Sequence, residues 1–340
     1  MTQTAQDISV IICAYTEERW DDLVAAVESV QKQTLPPGEI IVVIDHNPDL
    51  LERVRKHISG VIVVENTEAR GLSGARNSGI AVVKSAIVAF LDDDAMAMPG
   101  WLMFLSEGFS DTQVLGIGGP VTALWLGNEP AWFPEEFYWV IGCSYRGMPQ
   151  TVKAIRNPIG ANMSFRRQVF DAVGGFRSGI GRVSTQPLGC EETELCIRAQ
   201  QRWPQGTFLY QPQADVFHRV PDNRVCWGYF CARCYAEGFS KAAVTRYVGA
   251  KDGLASERAY ILRTLPSGVI RGLMDGLFRF DLAGFLRAGA IIAGLVVTTM
   301  GYLVGCISSR VATSSNVLAT DRVLRHNSEI PRSTRVQTKV

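Results

Sequence analysis

Ile87-Val-Ala-Phe-Leu-Asp-Asp-Asp94 reads as a buried strand that stops on three acids. Buried parallel strands tolerate no charge along their length, but their carboxyl ends open into the crevice where α/β folds bind ligands. Three carboxylates there would hold a cation. Hard oxygen ligands suit a divalent metal, Mg2+ or Mn2+, which in turn suits phosphate oxygens. An isolated acidic triplet also fits a solvated turn, so the flanking segments decide between the two.

Working outward, Ile8 to Ala14 and Glu39 to Asp45 are strand-like runs followed by polar residues and a helical pattern, the punctuation of βαβ units. Trp20 to Gln33 places Leu23, Val24, Val27 and Val30 at helical spacing. A third run, Val61 to Glu65, precedes Arg70-Gly-Leu-Ser-Gly-Ala-Arg-Asn-Ser-Gly79, where glycines allow close backbone approach and two arginines offer donors to phosphate. Ile80 to Ser85 completes that helix. The glycine string is neither a dinucleotide fingerprint after the first strand nor a GxxxxGK[ST] phosphate loop, which argues against dehydrogenase and P-loop readings. A net charge of +1 and a pI near 7.6 give no nucleic-acid footprint.

Seven segments in order over about residues 8 to 220 carry a resemblance. They are Cys13-Ala-Tyr-Thr-Glu17, Val43-Ile-Asp45, Gly71-Leu-Ser-Gly-Ala-Arg-Asn77, Phe90-Leu-Asp-Asp-Asp94, Gly160-Ala-Asn-Met-Ser-Phe-Arg166, Gly174-Gly-Phe176 and Gly189-Cys-Glu-Glu-Thr-Glu-Leu195. The chain resembles a family 2 glycosyltransferase of the nucleotide-diphospho-sugar transferase (GT-A) fold, an α/β Rossmann-like mixed sheet flanked by helices. The resemblance implies a nucleotide-diphospho-sugar donor contacted by Ala14, Tyr15, Glu17, Asp45 (at the base), Gly71 and Arg76. Asp92 and Asp93 would reach ribose and diphosphate, Asn162 a hydroxyl of the donor sugar. Asp94, Asp92 and His218 are the implied metal ligands; which carboxylate touches the metal stays open, because adjacent residues of an extended chain point opposite ways. Arg219 and Arg224 have phosphate, lipid headgroups or solvent as alternatives.

Inverting transfer needs a base that removes a proton from the acceptor hydroxyl. Acids are favoured in the first turn of a helix, which alone would account for the glutamates ahead of Leu195. In the family the second acid of this segment is usually the base, so Glu192 ranks first and Glu191 second; Glu192 stands where Asp is common. A sugar nucleotidyltransferase would need its Gly-Arg loop after the first strand, where this chain has Tyr15-Thr-Glu17. A non-catalytic sugar- or lipid-binding scaffold is disfavoured by the intact acids and His218.

Trp125, Trp132, Phe133, Phe137, Tyr138, Trp139 and Tyr145, interleaved with Glu129, Glu135 and Glu136, fit either an acceptor wall or core packing. Eight cysteines and no leader at Met1 indicate a reduced, cytosolic compartment. His218, Cys226, Cys231 and Cys234 lack zinc spacing; Trp227 to Tyr247 reads as one helix.

Ala288 to Ser308 has no charged residue over 21 positions, long enough to cross a hydrocarbon core. Tyr260 to Arg287 mixes apolar residues with Arg263, Arg271, Arg279 and Arg287, as one or two interfacial helices would. The expected organisation is a catalytic domain over 1–250, membrane-associated helices over 251–310 and a disordered basic tail over 311–340. The tail holds Arg310, Arg322, Arg325, Arg332, Arg335 and Lys339 against Asp321 and Glu329. A single crossing would put it opposite a cytosolic catalytic domain, against the positive-inside tendency, so an interface-lying arrangement is the alternative. The expectation is sugar transfer to a lipid-linked or polysaccharide acceptor at the cytosolic membrane face, in cell-envelope polysaccharide synthesis.

Overall fold

The computed structural model of the protein describes residues 8–182, 188–249 and 257–328, those beyond 308 as backbone only. In chain order the elements are β1 Ile8–Ala14, α1 Trp20–Gln31, β2 Glu39–Ile44, α2 Pro48–His57, β3 Ile62–Glu65, α3 Leu72–Ile80, β4 Ile87–Asp92, β5 Ala95–Ala97, α4 Trp101–Gly108, β6 Val114–Gly118, β7 Val121–Trp125, β8 Lys153–Ile155, β9 Asn162–Arg166, α5 Arg167–Val173, α6 Glu191–Arg202, β10 Thr207–Tyr210, β11 Val216–Val220 and α7 Trp227–Val248. Two further helices follow, α8 Leu265–Phe278 and α9 Leu282–Ser328.

The main sheet runs β3-β2-β1-β4-β9-β6-β10-β8, and β5-β11-β7 form a second, small sheet. β1 to β4 are mutually parallel, while β9 runs antiparallel to β4 and β6. Their strands are apolar on both sides because helices cover both faces. Val10, Ile12 and Val42 pack into one core with α1 and α4; Ile11, Ile41, Val43 and Phe90 pack into another with α3, α5 and α6. The parallel arrangement brings the carboxyl ends of β1, β2 and β4 to one edge, which is where Tyr15, Asp45 and Asp92 emerge.

The apolar stretch from Phe208 to Phe217 falls in two strands of different sheets. Pro212 lacks the N–H a continuing ladder needs, and the turn it makes carries the chain from β10 to β11. The helix α3 stops at Ile80, short of Ser85. The backbone of 311–328 continues α9, so the first part of the expected disordered tail is helical; 329–340 lies outside the described residues.

The aromatic segment packs inward. Phe133 and Phe137 are buried, and both touch Phe230 of α7 with ring centroids 5.5 and 5.3 Å away. Glu136, 1% exposed, is ion-paired to Arg271 of α8. Core packing therefore accounts for most of this cluster, and it joins the catalytic sheet to the C-terminal helices.

Candidate active site

Asp92 ends β4, and Asp93 and Asp94 form the turn into β5. β11 pairs with β5 so that His218 lies opposite Ala95, which brings its Nε2 to 3.1 Å from Asp94 Oδ1. Donor atoms of Asp92, Asp94 and His218 lie within 4.8 Å of one another. Asp93 Oδ2 is buried and finds no hydrogen-bond partner among the described residues. An oxygen-rich set with one imidazole and an orphaned buried carboxylate oxygen beside it fits a divalent cation such as Mn2+ or Mg2+.

Two arginines compensate the acids from outside the motif. Arg19 Nη1 lies 2.8 Å from Asp93 and 3.2 Å from Asp94, and Arg224 Nη2 lies 3.0 Å from Asp94. Burial opposes ionisation of Asp94, but His218, Arg224 and Arg19 outweigh it and hold its carboxyl well below the usual range. Burial, with the charges of Asp94 and Asp92, pushes Asp93 up to about 7 against Arg19. Burial likewise opposes charge on His218, yet Asp94 raises it to about 10, so metal ligation would release its proton.

A cleft of about 570 Å³ opens above this cluster, lined by Ala14, Tyr15, Arg19, Asp45, Gly71 and Arg182 among others. Gly71 adopts φ 122°, and its N–H donates to Asp45 Oδ2 at 2.9 Å; Asp45 also accepts from Asn66 at 2.6 Å. Ala14 and the partly exposed Tyr15 line the same cleft. Arg19 and Arg182 escaped the sequence reading because a single arginine after a strand, or before a loop, carries no spacing signal.

The glutamate pair opens α6 behind an unusual cap. Cys190 precedes the helix with φ 71°, a left-handed conformation, and Glu191 and Glu192 occupy its first two positions. Glu191 is buried and accepts from Arg76 Nη1 at 2.8 Å. Arg76 Nη2 stands 3.4 Å from Asp92 and 3.1 Å from the Gly160 carbonyl, so one guanidinium ties the end of β4 to the start of α6. Glu192 is half-buried and carries no ion pair among the described residues. Burial, then the neighbouring Glu191, pushes its carboxyl up to about 8.

Three expected donor contacts take other roles. Asn162 is wholly buried: its Oδ1 accepts from Trp101 at 2.8 Å and its amide donates to the Pro120 and Ala214 carbonyls at 2.8 and 2.7 Å, leaving no hydrogen bond for a sugar. Arg76, 2% exposed, is a strut inside the site wall. Glu17 points out to Arg53 at 3.3 Å. Of the two basic residues with open alternatives, Arg224 turns into the acid cluster, and Arg219 pairs with Asp22.

The sequence profile of Glycosyl transferase family 2 matches residues 9–174. Over 314 residues the chain is 31% identical to the glucosyl-dolichyl phosphate glucuronosyltransferase of Haloferax volcanii, covering 91% of this chain and 99% of that protein. It is 26% identical over 311 residues to the succinoglycan biosynthesis protein ExoM of Rhizobium meliloti, covering 85% and 93%. Among solved structures, the mannosyltransferase PcManGT from Pyrobaculum calidifontis, in complex with GDP-Man and Mn2+, superposes over 86% of each chain with a TM-score of 0.54 at 16% identity. That likeness speaks for the fold, which is GT-A. With the sheet order, the acid cluster and a near full-length relative in agreement, the chain belongs to glycosyltransferase family 2 and is a glycosyltransferase.

Proposed function

We propose that the enzyme transfers a sugar, with inversion, from a nucleotide-diphospho-sugar to a lipid-linked acceptor at the cytosolic face of a membrane, with a divalent metal. The observation that carries the reading is the Arg76 bridge, which ties Asp92 of the acid cluster to Glu191, the neighbour of Glu192, behind the cleft that Asp92, Asp93, Asp94 and His218 line. Glu192 takes the proton of the acceptor hydroxyl, whose oxygen attacks the anomeric carbon as the bond to the diphosphate breaks from the opposite face. Glu191 is held by Arg76 and acts through orientation. Asp92, Asp94 and His218 would hold the metal, which supplies charge stabilisation to the departing diphosphate. Asp45, Gly71 and the Ala14–Tyr15 rim would seat the nucleoside, and Arg19 lies where it can move from the acids to the donor phosphates.

The Haloferax volcanii relative supports a dolichyl- or polyprenyl-phosphate-linked sugar as acceptor and a hexuronate among the candidate donors. The apolar helix Leu282–Ser308, of which 28% is buried in its most apolar window, supports the membrane location. Thermal stabilisation of the purified chain by a panel of UDP- and GDP-sugars, with and without Mn2+, tests the donor; transfer to a polyprenyl-phosphate sugar tests the acceptor. Stabilisation by no nucleotide sugar under any metal condition would sink the reading.

A further inference from the structure

The two C-terminal helices are built inside out. On α8 the buried positions are Leu265, Gly268, Gly272 and Gly276, whereas Ile270, Leu273, Met274, Leu277 and Phe278 are exposed. On α9 the inward residues include Gly284, Ala288, Gly294, Gly301 and Gly305, and the outward stripe is Leu282, Leu286, Ile292, Val296, Met300, Leu303 and Ile307. A helix that packs in water buries its large apolar side chains; one that faces lipid packs through small residues and turns the large ones out.

The inward face of α9 is occupied by the catalytic domain along its whole apolar length. Arg287 donates to the Ala131 carbonyl at 3.0 Å, and a Cβ on Gly294 would lie 2.4 Å from Phe137. Farther along, a Cβ on Gly301 would lie 2.1 Å from the Tyr235 carbonyl of α7, and one on Gly305 would lie 2.7 Å from Ala242. From residue 287 to 305 is about 27 Å of helix, the thickness of a hydrocarbon core. The segment long enough to cross a bilayer is thus the one fastened to α7. That helix, in turn, holds the base segment: Gly189 N–H donates to Ser240 Oγ at 3.2 Å, and Glu237 of the Arg233–Glu237–Lys241 series takes the Cys190 thiol hydrogen bond at 3.4 Å.

We infer that α8 and the outer face of α9 lie in the plane of one leaflet, with the catalytic domain and the C-terminus on the same side and no crossing. The inference deepens the membrane location proposed above and rests on it. Exposed Arg263 sits beside exposed Leu262, and exposed Arg279, which also pairs with Asp275, sits between exposed Phe278 and Phe280, a mixed apolar and charged edge of the kind that lies at a headgroup boundary; Arg287 pairs with Asp275 and Asp281. The leaflet then stands two helix layers, α9 and α7, from Glu192, which sets the height at which the acceptor's terminal sugar must present its hydroxyl.

The full chain carrying different tags at its two ends decides the matter in sealed membrane vesicles from expressing cells. Protease should remove both tags together or spare both together; removal of one with protection of the other until detergent is added means a crossing and overturns the inference. With purified protein and vesicles of equal parts phosphatidylcholine and phosphatidylglycerol, the full chain should float, and both Leu277→Glu/Phe278→Glu and Leu303→Glu/Ile307→Glu should cut flotation at least tenfold with an unchanged melting temperature. Undiminished flotation of both pairs, or a full chain that forms a stable dimer and ignores vesicles, would also overturn it. Flotation and tag access do not depend on turnover, so absence of sugar transfer in the same preparations counts against the proposed reaction alone.

Discussion

Burial, with Glu191 beside it, pushes the Glu192 carboxyl up to about 8. A base must be ionised to accept a proton, so transfer should rise with pH and level off above about 8. Glu192→Gln should keep donor-induced thermal stabilisation yet lose roughly a hundredfold to ten-thousandfold in transfer. A flat pH profile together with an active Gln variant would remove Glu192 from the mechanism. The stability sign follows from the same shift: the folded state binds this proton more tightly than the unfolded chain does, so the stabilisation is complete below the ordinary carboxyl range and is lost as pH rises through about 8. Thermal melts should therefore show Glu192→Gln losing less stability than wild type between neutral and alkaline pH. In the acid cluster, Asp94→Ala should abolish the metal-dependent part of nucleotide-sugar stabilisation; affinity retained within about twofold, where a charge-assisted contact should cost about 1.5 kcal/mol or more, would place the metal elsewhere.

At the scale of elements, the tie between β4 and α6 runs through one buried guanidinium. Arg76→Met leaves Glu191 and Asp92 without their partner, and loss of one member of a buried ion pair costs on the order of 3–5 kcal/mol. Urea unfolding should show that loss, and adding Glu191→Gln should recover part of it. If the single variant is as stable as wild type, the bridge is incidental. The α7–α9 contact depends instead on the absence of side chains. Gly301→Leu would drive a side chain into the Tyr235 backbone, and overpacking of this kind should lower stability by roughly 3 kcal/mol. An unchanged melting temperature would mean that the two helices are not packed as described.

For the molecule as a whole, the C-terminal helix belongs to the fold as well as to the membrane face. Deleting residues 288–340 uncovers Phe137 and Phe230 along with α7. Simple release of an intact soluble domain, the natural expectation for a detachable anchor, is therefore replaced by a chain that melts earlier or aggregates, read by light scattering and thermal unfolding. A monomeric truncated form with wild-type melting would show that α9 contributes nothing to the core. Donor and Mn2+ together should act oppositely, adding about 2.7 kcal/mol at a hundredfold excess over the dissociation constant.

Much of this was legible in the chain itself. The β-branched runs ending in Tyr15, Asp45 and Asp92 specify parallel strands with polar residues at one edge, because apolar periodicity and its interruption are local properties. The acid triplet, the glutamate pair and the charge-free length of 288–308 are legible for the same reason, whereas the break at Pro212 and the inside-out packing of that helix are not. What tertiary structure alone decided is partnership between distant residues. Asn162 and Arg76 look like ligands in a motif, yet burial assigns them to Trp101, Pro120, Ala214, Glu191 and Asp92. Arg19 carries no spacing signal and Arg224 is open between phosphate, lipid headgroups and solvent, yet folding aims both at Asp94. The apolar C-terminal run could span or lie flat on composition alone; its direction depends on which face α7 covers. Sequence spacing encodes which side of an element a residue occupies, whereas the identity of what it meets there is set by other chain segments, and a desolvated charge or amide takes the nearest partner that packing supplies.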